Sequence, residues 1–160
     1  MTKEKIDKIR DKFSDKLNEI HGFFEDFRFL SNYHLADVYY DGIVYPSNEH
    51  SYQAAKSLDN DIRKAFLCLS CGEARKCGQK IRIREDWEDI KIDVMHQINL
   101  EKFSKHKDLK QMLKLTEGYF LEESNWWHDN FWGNCICSKC ESIDGQNNLG
   151  KILMKIRDNL

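Results

Sequence analysis

The chain has 160 residues, 41% hydrophobic and 12% aromatic, with 25 Lys and Arg against 27 Asp and Glu. This length fits one domain that buries a core without disulfides or metal. A net charge of −2 excludes a global field that attracts nucleic acid or anionic membrane. We find no apolar run near the roughly 20 residues of a membrane span and no apolar signal segment at the N-terminus. We therefore expect a cytoplasmic protein with no membrane partner.

The N-terminal segment has apolar residues at spacings of three and four from Thr2 to Ile20, which predicts a flanking helix that stops at Gly22. We accordingly divide the chain into a flanking helix, 1–20, and the domain itself, 21–160. The next stretch is rich in Phe and is most simply core. Within it, Ser31 and Asn32 follow Phe29-Leu30 and either present a hydroxyl and an amide from a loop or form a turn.

The clearest strand signal surrounds Asp41-Gly42, which predicts a hairpin of strands Ala36–Tyr40 and Ile43–Tyr45. Another strand is predicted over 119–123. A strand-like piece starts at Ile81 and passes into a helix from about Asp86. The helical pattern continues downstream, over 61–69, 71–78, 89–103, 109–115 and 151–157. The fold class is therefore α+β, a single helix-rich domain with a few short strands.

The segment after the hairpin contains the only proline, Pro46, followed by Ser47 as an N-cap, so a helix should begin at Asn48. Helical spacing places Glu49, Gln53 and Lys56 on one face. Tyr52 flanks that face.

The first-turn position of Glu49 favours its ionised form, which suits a charge stabiliser or nucleophile better than a proton donor. The alternative is ordinary surface chemistry, since Glu in a first turn with Gln and Lys later is common on exposed helices.

Aromatic residues provide two further candidates. Trp87 follows Arg84 at the start of a helix and is either core or a platform for a nucleobase or ribose. Residues 125–133 contain three Trp with His128 and Asp129. Buried aromatic walls would leave Asp129 either perturbed in pKa or tightly hydrogen-bonded, as expected of a catalytic acid or base.

The order of these motifs resembles the NADAR family, specifically its YbiA-like group, over about residues 23–157. The matching motifs are Phe29-Leu30-Ser31-Asn32, Tyr45-Pro46-Ser47-x-Glu49-His50-x-Tyr52-Gln53-Ala54-x-Lys56, Glu73-Ala74 with Gly78, Arg84-x-Asp86-Trp87, Met95, Lys102-Phe103, Leu121-x-Glu123, Asp129-x-x-Trp132-Gly133 and Gly145-x-Asn147-x-Leu149-Gly150-x-x-Leu153-Met154. The resemblance implies a YbiA-like domain that cleaves N-glycosidic bonds to ribose. The implied substrate is a ribosylamino-pyrimidine phosphate of the riboflavin pathway or ADP-ribose attached to a guanine base in nucleic acid.

The resemblance implies catalytic roles for Glu49, Trp87, Asp129 and Lys56. We expect Glu49, Trp87 and Asp129 to converge around one sugar carbon. Substrate contacts are predicted for Phe29, Ser31, Asn32, Tyr52, Gln53, Arg84, Trp132, Gly133 and Asn147. The alternative function is a module that binds ADP-ribose or a related nucleotide without cleaving it.

The chain departs from the family at Gly78-Gln79, where Gly-Arg is common, which removes one possible phosphate contact. It also departs at Cys135, where Gly is frequent. We expect no cofactor. Cys135-x-Cys137-x-x-Cys140, with His128 or with Cys68-x-x-Cys71, has ligand types and spacing that could hold Zn²⁺. Unliganded thiols are the favoured interpretation because the family has no general requirement for these cysteines, so we assign no metal site.

Overall fold

The computed structural model describes residues 18–160. These residues form two compact units, one comprising Asn32–Lys105 and the other the described residues up to Ser31 together with His106–Leu160. The elements in chain order are β1 Glu19–His21, a 3₁₀ helix Glu25–Leu30, β2 Leu35–Tyr40, β3 Ile43–Ser47, α1 Asn48–Ala54, α2 Asn60–Ala65, a 3₁₀ helix Phe66–Cys68, α3 Cys71–Gly78, α4 Trp87–Lys105, α5 Lys107–Leu115, β4 Phe120–Glu122, β5 Ser124–Asn125, β6 Asn134–Cys135 and α6 Asn148–Asn159.

In the unit Asn32–Lys105, the predicted hairpin and the helix after it are confirmed. Strands β2 and β3 pair antiparallel, and the turn residues Asp41 and Gly42 have φ of 45° and 86°. Both values lie in the left-handed region that a tight two-residue hairpin requires. Helix α1 begins at Asn48 as expected, packs against β2, β3, α3 and α4, and has every residue buried. The hairpin and two helices thus enclose α1.

In the other unit, β1 and β4 form a short parallel ladder in which Ile20 is aligned with Leu121. Helix α6 packs against β4. The buried Asn147, just before α6, joins the two, because its Nδ2 donates to Leu121 O at 2.9 Å and its Oδ1 accepts from Glu123 N at 3.1 Å. One amide therefore fixes the start of α6 to the end of β4.

Several predicted boundaries are wrong. The N-terminal helix was expected to reach Ile20, but Glu19–His21 is a strand, because Ile20 alternates with exposed neighbours and is paired with β4. The residues of the predicted N-terminal helix up to position 17 lie outside the described range. The division of the chain into a flanking segment, 1–20, and a domain, 21–160, stays a prediction. The segment 81–86 forms no strand; instead, Arg84 N donates to Lys56 O at 2.8 Å.

The predicted helix over 61–69 is divided into α2 and a 3₁₀ turn, Phe66–Cys68. Helices α3 and α5 and strand β4 match their predictions to within two residues at each end. Helix α4 begins within one residue of the predicted entry at Asp86 and ends two residues after Phe103, and α6 extends beyond both predicted ends. Within residues 18–160, every helix is too short or too polar to cross a membrane.

Two helical glycines provide a test of the packing of α6. A Cβ at Gly150 would lie 2.1 Å from Leu121 O, a backbone atom that cannot rotate away. We expect Gly150→Ala to lower the free energy of unfolding by about 1–3 kcal/mol, measured by urea denaturation. The control is Gly72→Ala in α3, where no described heavy atom lies within 4 Å of the added Cβ. Its stability should be unchanged or higher, by up to about 1 kcal/mol. Equal losses in both variants would contradict the close packing.

Candidate active site

The start of α1 is fixed by a buried Ser47–His50 pair. Ser47 Oγ accepts from the backbone N–H of His50 at 3.4 Å and lies 2.7 Å from His50 Nδ1. Because His50 Nε2 lies 2.7 Å from the carbonyl oxygen of Leu69, which can only accept, Nε2 carries the ring proton. The Ser47 hydroxyl therefore donates to Nδ1. Both side chains are fully enclosed, which gives this hydroxyl–imidazole pair a structural role.

A network of amides holds the same helix from the other side. Asn48 Nδ2 donates to Asn99 Oδ1 at 2.8 Å and lies 3.3 Å from Asn32 Oδ1, while Asn32 Nδ2 donates to Met95 Sδ at 3.3 Å. The carbonyl oxygen of Asn32 accepts from Glu49 N at 3.0 Å, satisfying a backbone donor in the first helical turn. The predicted substrate contact of Asn32 stays a prediction, and in this structure its amide supports α1.

Glu49 is the central titratable group of this unit. Only 7% of its surface is exposed, and Gln53 Nε2 donates to Glu49 Oε1 at 2.9 Å. Burial raises the pKa of Glu49 above its usual range, although the Gln53 hydrogen bond and the charges of Arg75 and Lys56 oppose the shift. The helix terminus alone is expected to favour the ionised form of Glu49, and the pKa shift has the opposite direction. A carboxyl with a raised pKa is the kind of group that general acid–base catalysis uses.

Lys56 lies in the turn that follows α1, because the helix ends at Ala54. Its Nζ donates to Gly78 O at 3.4 Å and lies 5.5 Å from the centre of the Tyr52 ring. Burial lowers the pKa of Lys56, and the neighbouring Arg75 lowers it further, while Glu49 opposes this. The surface-helix alternative is thus wrong for this segment, since Glu49, Tyr52 and Gln53 are all buried.

Trp87 belongs to the same cluster through Tyr52. The two ring centres are 5.1 Å apart and the planes are tilted by 58°. Trp87 is only 4% exposed, so stacking on a base or sugar requires neighbouring side chains to move. Its role as a stacking platform stays a prediction.

Two residues near Glu49 were missed by the sequence analysis. Arg75 on α3 stabilises the Glu49 carboxylate and hydrogen-bonds the Tyr33 side chain. Burial raises the pKa of Tyr33, and the Glu49 charge raises it further. The residue that could have indicated this neighbourhood is Gly78, because a Cβ at that position would lie 1.9 Å from Gln53 Oε1. A glycine required by the Glu49 partner indicates that α3, and therefore Arg75, approaches α1 closely.

Arg84 forms a two-pronged ion pair with Asp86, at 2.6 Å from Nε to Oδ1 and 2.8 Å from an Nη to Oδ2. It lines a groove of about 590 Å³ formed by residues 57–59, 62 and 82–86. The backbone bond from Arg84 N to Lys56 O connects this groove to the turn that carries Lys56. A substrate anion at Arg84 would have to compete with Asp86.

The remaining predicted site residues lie in the other unit. Asp129 Oδ1 accepts the backbone N–H groups of Phe131 and Trp132, at 3.1 and 2.8 Å, so this carboxylate is tightly hydrogen-bonded. The expectation that buried tryptophans surround Asp129 is wrong, because the side chains of Trp126 and Trp127 are 56% and 41% exposed. The loop is instead folded by amide and carboxylate side chains, which need no aromatic burial.

Four more residues that were predicted to contact the substrate lie in this unit and pack or hydrogen-bond within the protein. Phe29 and Ser31 are buried in and after the 3₁₀ helix Glu25–Leu30. A Cβ at Gly133 would lie 2.1 Å from Glu123 O, so close packing alone requires glycine there. Asn147 uses both ends of its amide on the segment around β4. Substrate contacts by these residues and by Trp132, and the convergence of Asp129 with Glu49 and Trp87, stay predictions.

Comparison with known proteins identifies the class. The NADAR domain matches residues 12–160, and the chain belongs to the NADAR domain family. It is 33% identical over 144 residues to a riboflavin biosynthesis protein of Vibrio vulnificus, covering 85% of this chain but only 36% of that protein. It is 29% identical over 156 residues to the N-glycosidase YbiA of Escherichia coli, covering 96% of this chain and 94% of that protein.

The fold agrees with this assignment. The NMR structure of E. coli YbiA matches with a TM-score of 0.77 at 28% identity, covering 91% of this chain and 86% of that chain. The predicted resemblance and the predicted α+β class, helix-rich with small strands, are both confirmed.

The raised pKa of Glu49 predicts a pH-dependent gain in stability from Glu49→Gln. An acid whose pKa is raised by folding stabilises the fold below its unfolded pKa, and this stabilisation is lost as the pH rises through the folded value. The variant keeps an acceptor for Gln53 and has no charge to bury. We expect it to match the wild type near pH 4.5 and to exceed it by about 1 kcal/mol or more at pH 8, measured by thermal unfolding. The exposed Glu117→Gln is the control. A gain in Glu49→Gln that is independent of pH would contradict the buried charge.

Proposed function

We propose that this protein hydrolyses the C1′–N bond of a phosphorylated N-ribosyl compound. Hydrolysis of an N-glycosyl bond is the activity for which its relatives in E. coli and in Nostoc punctiforme are named. The observation that carries the proposal is the Glu49 carboxyl, buried on Gln53 with a raised pKa and faced by the cations Arg75 and Lys56. A buried acid between cations suits proton transfer beside an anionic substrate.

The reaction requires charge stabilisation and one placed water. As the C1′–N bond breaks, positive charge develops on the ribose ring, and a nearby carboxylate stabilises it. In our proposal ionised Glu49 takes one proton from water as the water oxygen bonds to C1′. The leaving nitrogen keeps the bonding electrons and takes a proton, which Glu49 can return. The products are the free ribosyl hydroxyl and the amine.

The two cations favour a phosphate on the substrate. The family arginine that commonly follows Gly78 is Gln79 here. Arg75, one turn earlier on α3, acts electrostatically on both Glu49 and Lys56, and in our proposal these two cations together bind the phosphate. Of the two substrate branches, we propose the ribosylamino-pyrimidine phosphates, in keeping with the names of the riboflavin relatives from Vibrio vulnificus and Zea mays. ADP-ribose on a guanine base is the second candidate.

The other predicted catalytic residues keep narrower proposed roles. Lys56 contributes positive charge; its lowered pKa also increases the fraction of free amine, which permits attack on C1′ of an opened ribose to form an imine that water then hydrolyses. Because Asp129 Oδ1 already accepts two N–H groups, any role toward water or ribose hydroxyls falls to Oδ2.

Incubation with candidate substrates tests the reaction. The protein should release free pyrimidine amine from ribosylamino-pyrimidine phosphates, followed by chromatography, with ADP-ribosylated guanine DNA assayed in parallel. Glu49→Gln should reduce turnover about 10²–10⁴-fold while remaining folded, and Glu117→Gln should retain full activity. Wild-type activity in Glu49→Gln would remove the assigned role. Binding of either compound without release of base would instead indicate the non-catalytic module.

The proposed phosphate contact makes a separate prediction about KM. Arg75→Gln should raise KM about tenfold for a phosphorylated substrate, equivalent to about 1.4 kcal/mol, with a much smaller effect on the dephosphorylated compound. The control is Lys76→Gln, which removes a neighbouring exposed charge on the same helix. Equal effects of Arg75→Gln on both substrates would show that the residue acts through Glu49 or Tyr33 and not on phosphate.

A further inference from the structure

The segment after β5 contains four potential metal ligands. They are His128, Cys135, Cys137 and Cys140, and one ligand atom from each lies within 4.8 Å of all the others. His128 Nδ1 is 3.3 Å from the sulfurs of Cys137 and Cys140, and 4.0 Å from that of Cys135. The sequence spacing left open whether His128 or the pair Cys68 and Cys71 would complete a site with Cys135, Cys137 and Cys140. In the structure His128 lies with these three cysteines, whereas Cys68 and Cys71 belong to the other unit.

These distances match a tetrahedral zinc site. With Zn–S of about 2.3 Å and Zn–N of about 2.0–2.1 Å, tetrahedral geometry separates neighbouring ligand atoms by about 3.5–3.8 Å. The observed N–S distances of 3.3 to 4.0 Å lie on both sides of that range. Three thiolates and one imidazole are also a ligand set that selects zinc over hard cations such as Mg²⁺ or Ca²⁺.

The backbone presents the ligands independently of any metal contact. Parallel pairing of β5 with β6 sets Asn125 opposite Cys135. Asn125 Oδ1 accepts from the N–H groups of Trp127 and Asp129, both at 3.2 Å, which closes the turn around His128. His128 itself has φ of 67°, an uncommon value for a non-glycine residue. A turn from Cys137 O to Cys140 N, at 2.9 Å, brings the last two sulfurs to the same side.

We propose that His128, Cys135, Cys137 and Cys140 bind one Zn²⁺ as a structural site. Binding converts three thiols to thiolates with release of three protons and uses neutral His128 through Nδ1, so no oxidant or reductant is needed. Because four protein ligands complete the tetrahedron, the zinc has no open position for water and takes no part in chemistry.

The segment around the site is held by hydrogen bonds and has little regular secondary structure or apolar burial. Between β5 and α6 the only regular element is the two-residue β6, and Trp126, Trp127, Ile136 and Ile143 are largely exposed. Buried apolar side chains therefore contribute little to this region, which is the situation in which metal ligation supplies folding energy. The proposal is independent of the enzymatic function, although His128 immediately precedes Asp129.

Metal analysis of the full chain, purified under reducing conditions without chelator, tests the site. We expect about one equivalent of zinc per chain in the wild type and in Cys68→Ser. Less than about a fifth should remain in Cys137→Ser and in Cys140→Ser. Of the six thiols, those of Cys135, Cys137 and Cys140 should resist a thiol reagent until zinc is removed. Wild-type protein with less than about a tenth of an equivalent of zinc per chain would overturn the proposal. This holds both when all six thiols react freely with the reagent and when some of them have formed disulfides.

Two further measurements keep the test valid if the serine variants do not fold. Zinc-stripped wild type loaded with Co²⁺ should show the intense d–d bands of a tetrahedral ion and a thiolate charge-transfer band. An octahedral spectrum would contradict the site. His128→Cys should retain about one equivalent of zinc whereas His128→Asn should bind it much more weakly. Zinc retained equally by both would show that His128 is not a ligand.

Discussion

The candidate active site depends on removing one carboxyl group from water. Glu49 lies in a helix whose residues are all buried, and its partner Gln53 fits only because Gly78 has no side chain. Desolvation raises the Glu49 pKa against the Gln53 hydrogen bond and the charges of Arg75 and Lys56. Since these effects oppose one another, a change in packing at Gly78 or Gln53 would change the proton affinity of Glu49, as a change in the nearby charges would.

The sequence predicted well those features that local chemistry determines. Asp41-Gly42 predicted the hairpin because both turn residues need positive φ, and Ser47 predicted the helix start because its hydroxyl caps it. The Glu49–Gln53 contact followed from helical spacing. Helix α3 was predicted to within one residue, and it has the capping box formed by Ser70 and Glu73. Each of these depends on residues within a few positions of one another.

The features that the sequence did not predict depend on distant partners. Glu19–His21 is a strand only because β4, about a hundred residues later, pairs with it. The burial of Glu49 depends on α3 and α4, so the first-turn position alone gave the wrong sign for its pKa. Trp126 and Trp127 were expected to be buried because of residue type, yet Asn125 and Asp129 fold their loop by hydrogen bonds. For the cysteines, spacing allowed two ligand sets, and the folded chain groups His128 with Cys135, Cys137 and Cys140.

The division of the chain has a consequence for biosynthesis. The unit Asn32–Lys105 is continuous in sequence, whereas its companion combines residues up to Ser31 with His106–Leu160. On the ribosome, the continuous unit has all its residues once position 105 has emerged. Strand β1 must wait for β4, and loop closure over such a separation is slow. During that interval the side chain of Ile20, which is buried in the folded protein, has no partner strand, so a nascent chain that ends before residue 120 leaves it exposed.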